Sequence, residues 1–299
     1  MSTVVDYAGL YPPAALDAPT VVANYGKITA GRNSWMLGRL VWPAARLPEL
    51  SELAKSHAPT AQPPETEGAW AITAVTLPAN DAAFADSLTA VEHFNHRHEQ
   101  EGEPAMRIDS LEIRVASAVD VQRTADRLPE GLFPYFEIPW EPDPRGMIAA
   151  LADLDCGAKV RTGGEAAAAF PSPRQLARFI AACHFARVPF KATAGLHRAL
   201  GHASEATGAT HFGFLNVFLG ACLLHAGRVD AEALEMLLSD SDLGSFDFCD
   251  RAIAWREASL SAEEIEDARG RFVHSFGSCS FEEPLHDLVH LELVPAGVS

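Results

Sequence analysis

Short apolar segments of strand character alternate with segments of helical spacing through the first two thirds of the chain, and this restricts the fold more than any other feature. Strands are expected at 36–42 (MLGRLVW), 70–77 (WAITAVTL), 111–116 (LEIRVA), 134–139 (PYFEIP), 158–162 (AKVRT) and 189–194 (PFKATA). Helical spacing fills 44–56, 81–100, 119–127 and 144–154, and resumes after Ser172, where a Ser-Pro-Arg run supplies a cap followed by proline at the first helical position. Parallel neighbours need a crossover, which a helix commonly provides. The pattern therefore predicts an α/β fold, a parallel (β/α)8-type barrel, with a doubly wound open sheet as the alternative.

Beyond residue 194 the alternation weakens. Residues 196–210 read as a long loop, 212–225 and 230–238 as helices, 245–255 as a seventh strand, and 261–274 as another helix. No eighth strand is legible, which leaves an incomplete or decorated barrel open. One domain is expected over 1–299, with 1–30 as an N-terminal extension and 196–299 as a less regular closing part. The segment 62–68 (QPPETEG) reads as a polar loop.

A net charge of −17 with no concentrated basic patch argues against nucleic acid as a partner. The opening MSTVVDYAGLYPPAAL lacks a basic start followed by an apolar core, and no apolar run is long enough to cross a bilayer, so a cytoplasmic protein without membrane partners is expected. The five cysteines, Cys156, Cys183, Cys222, Cys249 and Cys279, form no CxxC pair and read as reduced core thiols. A homo-oligomer is left open.

In a barrel of this kind the chemistry lies at the C-terminal strand ends, which here carry Arg114, Glu137, Lys159, Arg161, Thr162, Lys191, Thr193 and His197. The chain has only four lysines, and Lys159 and Lys191 both fall inside apolar strands, where an ammonium is expensive unless paired or employed. Alternation puts Lys159 and Arg161 on one face of their strand, and Lys191 and Thr193 on one face of theirs. If both faces line a cavity, crowding and desolvation lower a lysine pKa and make the amine a nucleophile. The rival expectation is that these lysines form buried salt bridges with Glu137 or Glu112. Gly163 and Gly164, between strand and helix, either let backbone amides approach an anion held by Arg161 or form a simple tight turn.

The segments AKVRTGG and PFKATAGLH resemble the two lysine-bearing strands of class I aldolases of the deoxyribose-phosphate aldolase type. The resemblance covers about a tenth of the chain, and Arg161 stands where that family has a small polar residue. It implies a lyase in which Lys159 forms an imine with a carbonyl substrate and Lys191 tunes it. On this reading Glu137 or His197 moves protons, Arg161, Thr162, Gly163, Gly164, Thr193 and Asn216 contact a small anionic substrate, and no cofactor is needed. A divalent metal held by His197, His211 and Glu137, serving an isomerase, hydrolase or lyase, is the competing enzyme reading. A non-catalytic barrel that binds a metabolite or a protein is the third.

Of the remaining features, His93, His96 and His98 read as a solvated helix end. The segment DYAGLYPPAAL either folds over the barrel mouth or plugs its base. FGSCSFEEP reads as a packed turn between aromatic residues.

Overall fold

The computed structural model describes residues 2–62, 68–249 and 251–295, so the loop expected at 62–68 lies largely outside the described residues. The chain opens with β1 (Val5–Tyr7) and α1 (Ala18–Ala30). It continues through β2 (Leu37–Pro43), α2 (Leu47–Ala54), β3 (Trp70–Val75), α3 (Phe84–His98), β4 (Met106–Arg114), α4 (Ala118–Ala125), β5 (Phe133–Glu137), α5 (Arg145–Ala149), β6 (Gly157–Arg161), α6 (Pro173–Ala186) and β7 (Phe190–Thr193). A two-stranded hairpin of β8 (His202–Ser204) and β9 (Ala209–His211) follows, then α7 (Phe214–His225) and α8 (Ala231–Ser239). An antiparallel sheet of β10 (Phe246–Cys249), β11 (Ala252–Trp255) and β12 (Ala258–Ser261) precedes α9 (Ala262–Arg271), β13 (Val273–Ser278) and α10 (Glu282–His290).

Eight of these strands close into an all-parallel barrel in the order β1, β2, β3, β4, β5, β6, β7, β13, with β13 pairing back to β1. The expected barrel is therefore present and complete, and the open-sheet alternative is excluded. Two readings of the chain's ends are corrected. Residues 1–30 are no mere extension, because Val5, Asp6 and Tyr7 form a barrel stave. The strand expected at 245–255 is a β-hairpin outside the barrel, and the eighth stave lies instead in residues taken as the end of a helix and a turn, Val273–Ser278.

Local sequence explains the helix starts. Ser172 and Gln175 form a reciprocal capping box ahead of α6, with proline in its first turn, and Ser261 and Glu264 do the same for α9. The outward faces of the staves, including Leu40, Ile72, Ile113, Phe136, Val160 and Phe190, are fully buried. Alternation then sends Glu112, Lys159 and Lys191 inward.

Two side chains depart from their expected settings. His98 is buried rather than solvated: its Nδ1 donates to the Pro104 carbonyl at 2.7 Å, and its Nε2 accepts from the Ser51 hydroxyl at 2.8 Å. Cys249 is exposed, whereas the other four thiols are buried as expected. No described helix is long and apolar enough to cross a membrane.

Candidate active site

Ion pairs between staves, most of them non-adjacent, show what fills the lumen. Lys159 Nζ on β6 reaches Glu112 Oε2 on β4 at 2.5 Å and Glu137 Oε2 on β5 at 2.9 Å. Lys191 Nζ on β7 reaches Asp6 Oδ2 on β1 at 2.6 Å. It also lies 2.8 Å from Glu112 Oε1, an ionic contact without good hydrogen-bond alignment. The result is a continuous alternation of charge, Asp6, Lys191, Glu112, Lys159, Glu137, which ends at Arg114, 3.2 Å from Glu137. Lys159 and Lys191 are register partners on neighbouring strands, so the expected convergence of the two lysines is present.

The electrostatics differ from the expected crowding of like charges. Glu112 sits between the ammoniums. Burial favours its neutral form, but Lys159 and Lys191 overcome that and hold it down at about 2. Burial also works against the Lys191 ammonium, yet Asp6 and Glu112 hold its pKa above the ordinary lysine range. Lys191 is thus a locked cation, so the lowering of a lysine pKa expected from crowding does not occur at Lys191. Glu137 is lowered as well: burial opposes ionisation, while Lys159, Arg114 and Arg161 favour it. Arg161 ends β6 on the same face as Lys159 and is exposed.

Both amines are buried, Lys191 at 0% exposure and Lys159, slightly less completely, at 7%. The buried salt bridges expected as the rival reading are therefore real.

The other candidates divide into loop supports and residues placed elsewhere. The Thr162 hydroxyl donates to the Ala194 carbonyl at 2.6 Å, tying the end of β6 to the end of β7, and Thr193 is 3.5 Å from the Val160 carbonyl. Gly163 packs where a Cβ would come within 2.8 Å of the Phe170 ring and 3.0 Å of the Gly195 Cα, so close packing alone already requires glycine there. A Cβ on Gly164 would meet Ala169 at 2.7 Å. His197 Nδ1 pairs with Glu283 on α10 at 2.6 Å, and is held at the rim. His211 stacks on Phe170 with centroids 4.3 Å apart, and its Nε2 is 2.8 Å from the Thr207 hydroxyl. Among the described residues no three His, Cys, Asp or Glu side chains are grouped to hold a metal, so His197, His211 and Glu137 do not assemble as the metal reading required. Asn216 is fully buried in α7 and is no substrate contact. Its amide donates to the Leu237 and Asp240 carbonyls at 2.8 and 2.7 Å and accepts from the Gly201 amide at 3.0 Å.

Asp6 was missed by sequence reasoning. It is 1% exposed and accepts from Lys191, from Ser275 Oγ at 2.7 Å and from the Arg39 amide at 2.9 Å. An acid flanked by buried valines in VVDY carried the same signal that picked out the lysines. Its room depends on Gly38, whose Cβ would lie 2.3 Å from Asp6 Oδ1. Tyr135 was missed too: its ring lies 5.2 Å from Lys191 Nζ, and its hydroxyl bonds His274 Nδ1 at 2.6 Å. Comparison of the chain with protein-family models, with curated proteins and with solved structures gives no match.

Proposed function

We propose that the protein is a lyase of aldolase type that acts on a small anionic carbonyl compound through an imine at Lys159. The observation that carries this reading is Lys159, whose amine lies between two carboxylates and which is the less completely buried of the two lysines in the ionic chain. A barrel of this architecture hosts its chemistry at that end.

In this reading Lys159 passes a proton to Glu137, the carboxylate nearer solvent, and its lone pair adds to the substrate carbonyl carbon. The carbonyl oxygen takes that proton back from Glu137 and a second from the attached nitrogen, and water leaves to give the protonated imine. The hydroxyl on the departing carbon then gives its proton to Glu137 and becomes a carbonyl as the carbon–carbon bond breaks, its electron pair passing to the imine to leave an enamine. Glu112, held ionised by both lysines, stabilises the cationic nitrogen. Lys191 fixes Glu112 in place. Arg161 at the rim pairs with the substrate's anionic group. No metal enters the scheme.

The test is reduction with borohydride in the presence of acetaldehyde, pyruvate or glycolaldehyde phosphate, followed by peptide mapping. A reduced adduct on Lys159 is expected. Adducts confined to Lys27 and Lys55, or none at all, refute the imine. A non-catalytic, metabolite-binding barrel is the second reading, favoured by the pairing of both buried lysines with carboxylates. It gains if Lys159→Met binds the same probes with unchanged affinity and wild-type protein turns none of them over.

A further inference from the structure

The turn that follows β1 brings a phenol to the barrel mouth. The Ala8 amide donates to the Ser278 carbonyl at 2.7 Å, the Tyr11 amide to the Ala8 carbonyl at 2.9 Å, the Ala15 amide to the Tyr11 carbonyl at 3.0 Å, and the Leu16 amide to the Gly9 carbonyl at 2.9 Å. Tyr11 is therefore fixed at both ends of its own peptide unit, four residues beyond the C-terminal end of its stave. Of the two expectations for DYAGLYPPAAL, its continuation past Tyr7 lies at the mouth rather than the base.

The Tyr11 ring is only partly buried, but its hydroxyl oxygen is shielded from solvent and has no hydrogen-bond partner among the described residues. A buried hydroxyl left unpaired costs about 1–3 kcal/mol, so a retained one calls for a partner that arrives. The surroundings indicate its location. Burial raises the Tyr11 pKa most, and the Glu112 carboxylate raises it further while Arg46 opposes, so the phenol lies within electrostatic reach of the central carboxylate of the lumen. Thr73 on β3 and Ser110 on β4 are register partners whose hydroxyls are likewise buried and unpaired among the described residues, and Ser110 lies two residues before Glu112 on the same face of its stave.

We infer that the Tyr11 hydroxyl is a substrate-binding donor, which hydrogen-bonds an oxygen of the carbonyl compound while that compound is engaged at Lys159. The inference rests on the imine reading and adds a requirement to it: the substrate carries a further acceptor oxygen, of a hydroxyl, carbonyl or phosphate ester group, beyond the carbon that Lys159 attacks, placed to meet the phenol. A simple aldehyde lacks that second oxygen, whereas glycolaldehyde phosphate has its ester oxygen and phosphoryl oxygens.

Tyr11→Phe removes only the hydroxyl. The variant is expected to melt no lower than wild type, because it discards an unpaired buried group. It should nevertheless need about tenfold more glycolaldehyde phosphate for half-maximal borohydride trapping at Lys159, the loss of one good hydrogen bond, with little change for acetaldehyde. A lower melting temperature with an unchanged trapping concentration would make Tyr11 a structural residue and overturn the inference. Wild-type protein that is not trapped at Lys159 by any probe overturns the imine reading and this donor with it. Wild-type protein that is trapped, with Tyr11→Phe trapped alike by both aldehydes, overturns the donor alone.

Discussion

The lumen carries charge at both ends, and the two ends are built differently. Near the mouth, Asp6, Lys191, Glu112 and Lys159 lie almost wholly out of solvent and share partners in one chain. Near the base, Arg39 grips Asp109 with both nitrogens, at 2.6 and 2.8 Å, but about a third of each side chain is exposed (34% and 35%). The base pair is an ordinary staple between β2 and β4, of small net worth because water screens it. The mouth chain pays the desolvation of four charges, a cost that apolar residues of similar volume would avoid. Such a cost makes sense where the charges perform a task, and Lys159, the less completely buried lysine, is the residue proposed to perform it.

Substitution should expose the contrast most strongly at Lys191. Lys191→Met leaves Asp6 and Glu112 short of a buried partner, and about 3–5 kcal/mol of stability should be lost in denaturant titrations. Lys159→Met should cost less than half as much, since Glu112 keeps Lys191 and Glu137 keeps Arg114, while imine trapping disappears. Equal losses from the two variants would erase the distinction between the two lysines.

Acid should separate the ends in sequence. His274, bonded to Tyr135 toward the base, has its pKa lowered to about 4 by burial, with help from Arg269 and Arg39. A folded-state pKa below the unfolded value of about 6.5 means that the unfolded chain binds more protons, so stability falls as pH drops from about 6.5 to about 4. Glu112, also depressed, contributes stability above about 4.5 that is lost as pH falls toward about 2. Melting temperature against pH should therefore show two descents. His274→Asn should shrink the upper one, to which His98, His184, His202 and His211, lowered by burial as well, also contribute, and leave the lower; an upper descent unaffected by that variant would contradict the assignment.

The smallest effect belongs to the base staple. Asp109→Asn should change stability by no more than about 1 kcal/mol and leave trapping at Lys159 untouched. A larger loss would show that the base shares the energetics of the mouth.

Much of this was legible in the sequence, for reasons that also explain the gaps. Staves β2 through β7 announce themselves because their outward faces need apolar residues, as in MLGRLVW and WAITAVTL. The two closing staves do not. β1 has three residues with an acid in the middle, and β13 (VHSFGS) has Ser275 and Gly277 on alternate positions, which dilutes its pattern. FDFC and AIAW do form strands, but a strand pattern does not name its partner, and these two pair with each other outside the barrel.

The site followed the same logic. Lys159 and Lys191 stood out because buried ammoniums are costly, and that rule applied equally to Asp6, which was passed over in a segment read as an extension. Asn216 misled because a lone amide on an apolar helix looks available, whereas its partners are backbone groups distant in sequence, at Gly201, Leu237 and Asp240. The position of Glu112 between the lysines depends on three staves meeting across the lumen, which no spacing along the chain encodes.

With only four lysines in the chain, timed modification of native protein by an amine-selective reagent, read residue by residue by mass spectrometry, tests the central distinction directly. Lys27 and Lys55 should react first, Lys159 measurably later, and Lys191 only after unfolding. Lys159 and Lys191 remaining equally inert until the protein unfolds would mean that the mouth chain is a sealed structural layer, and the proposed chemistry at Lys159 would fall.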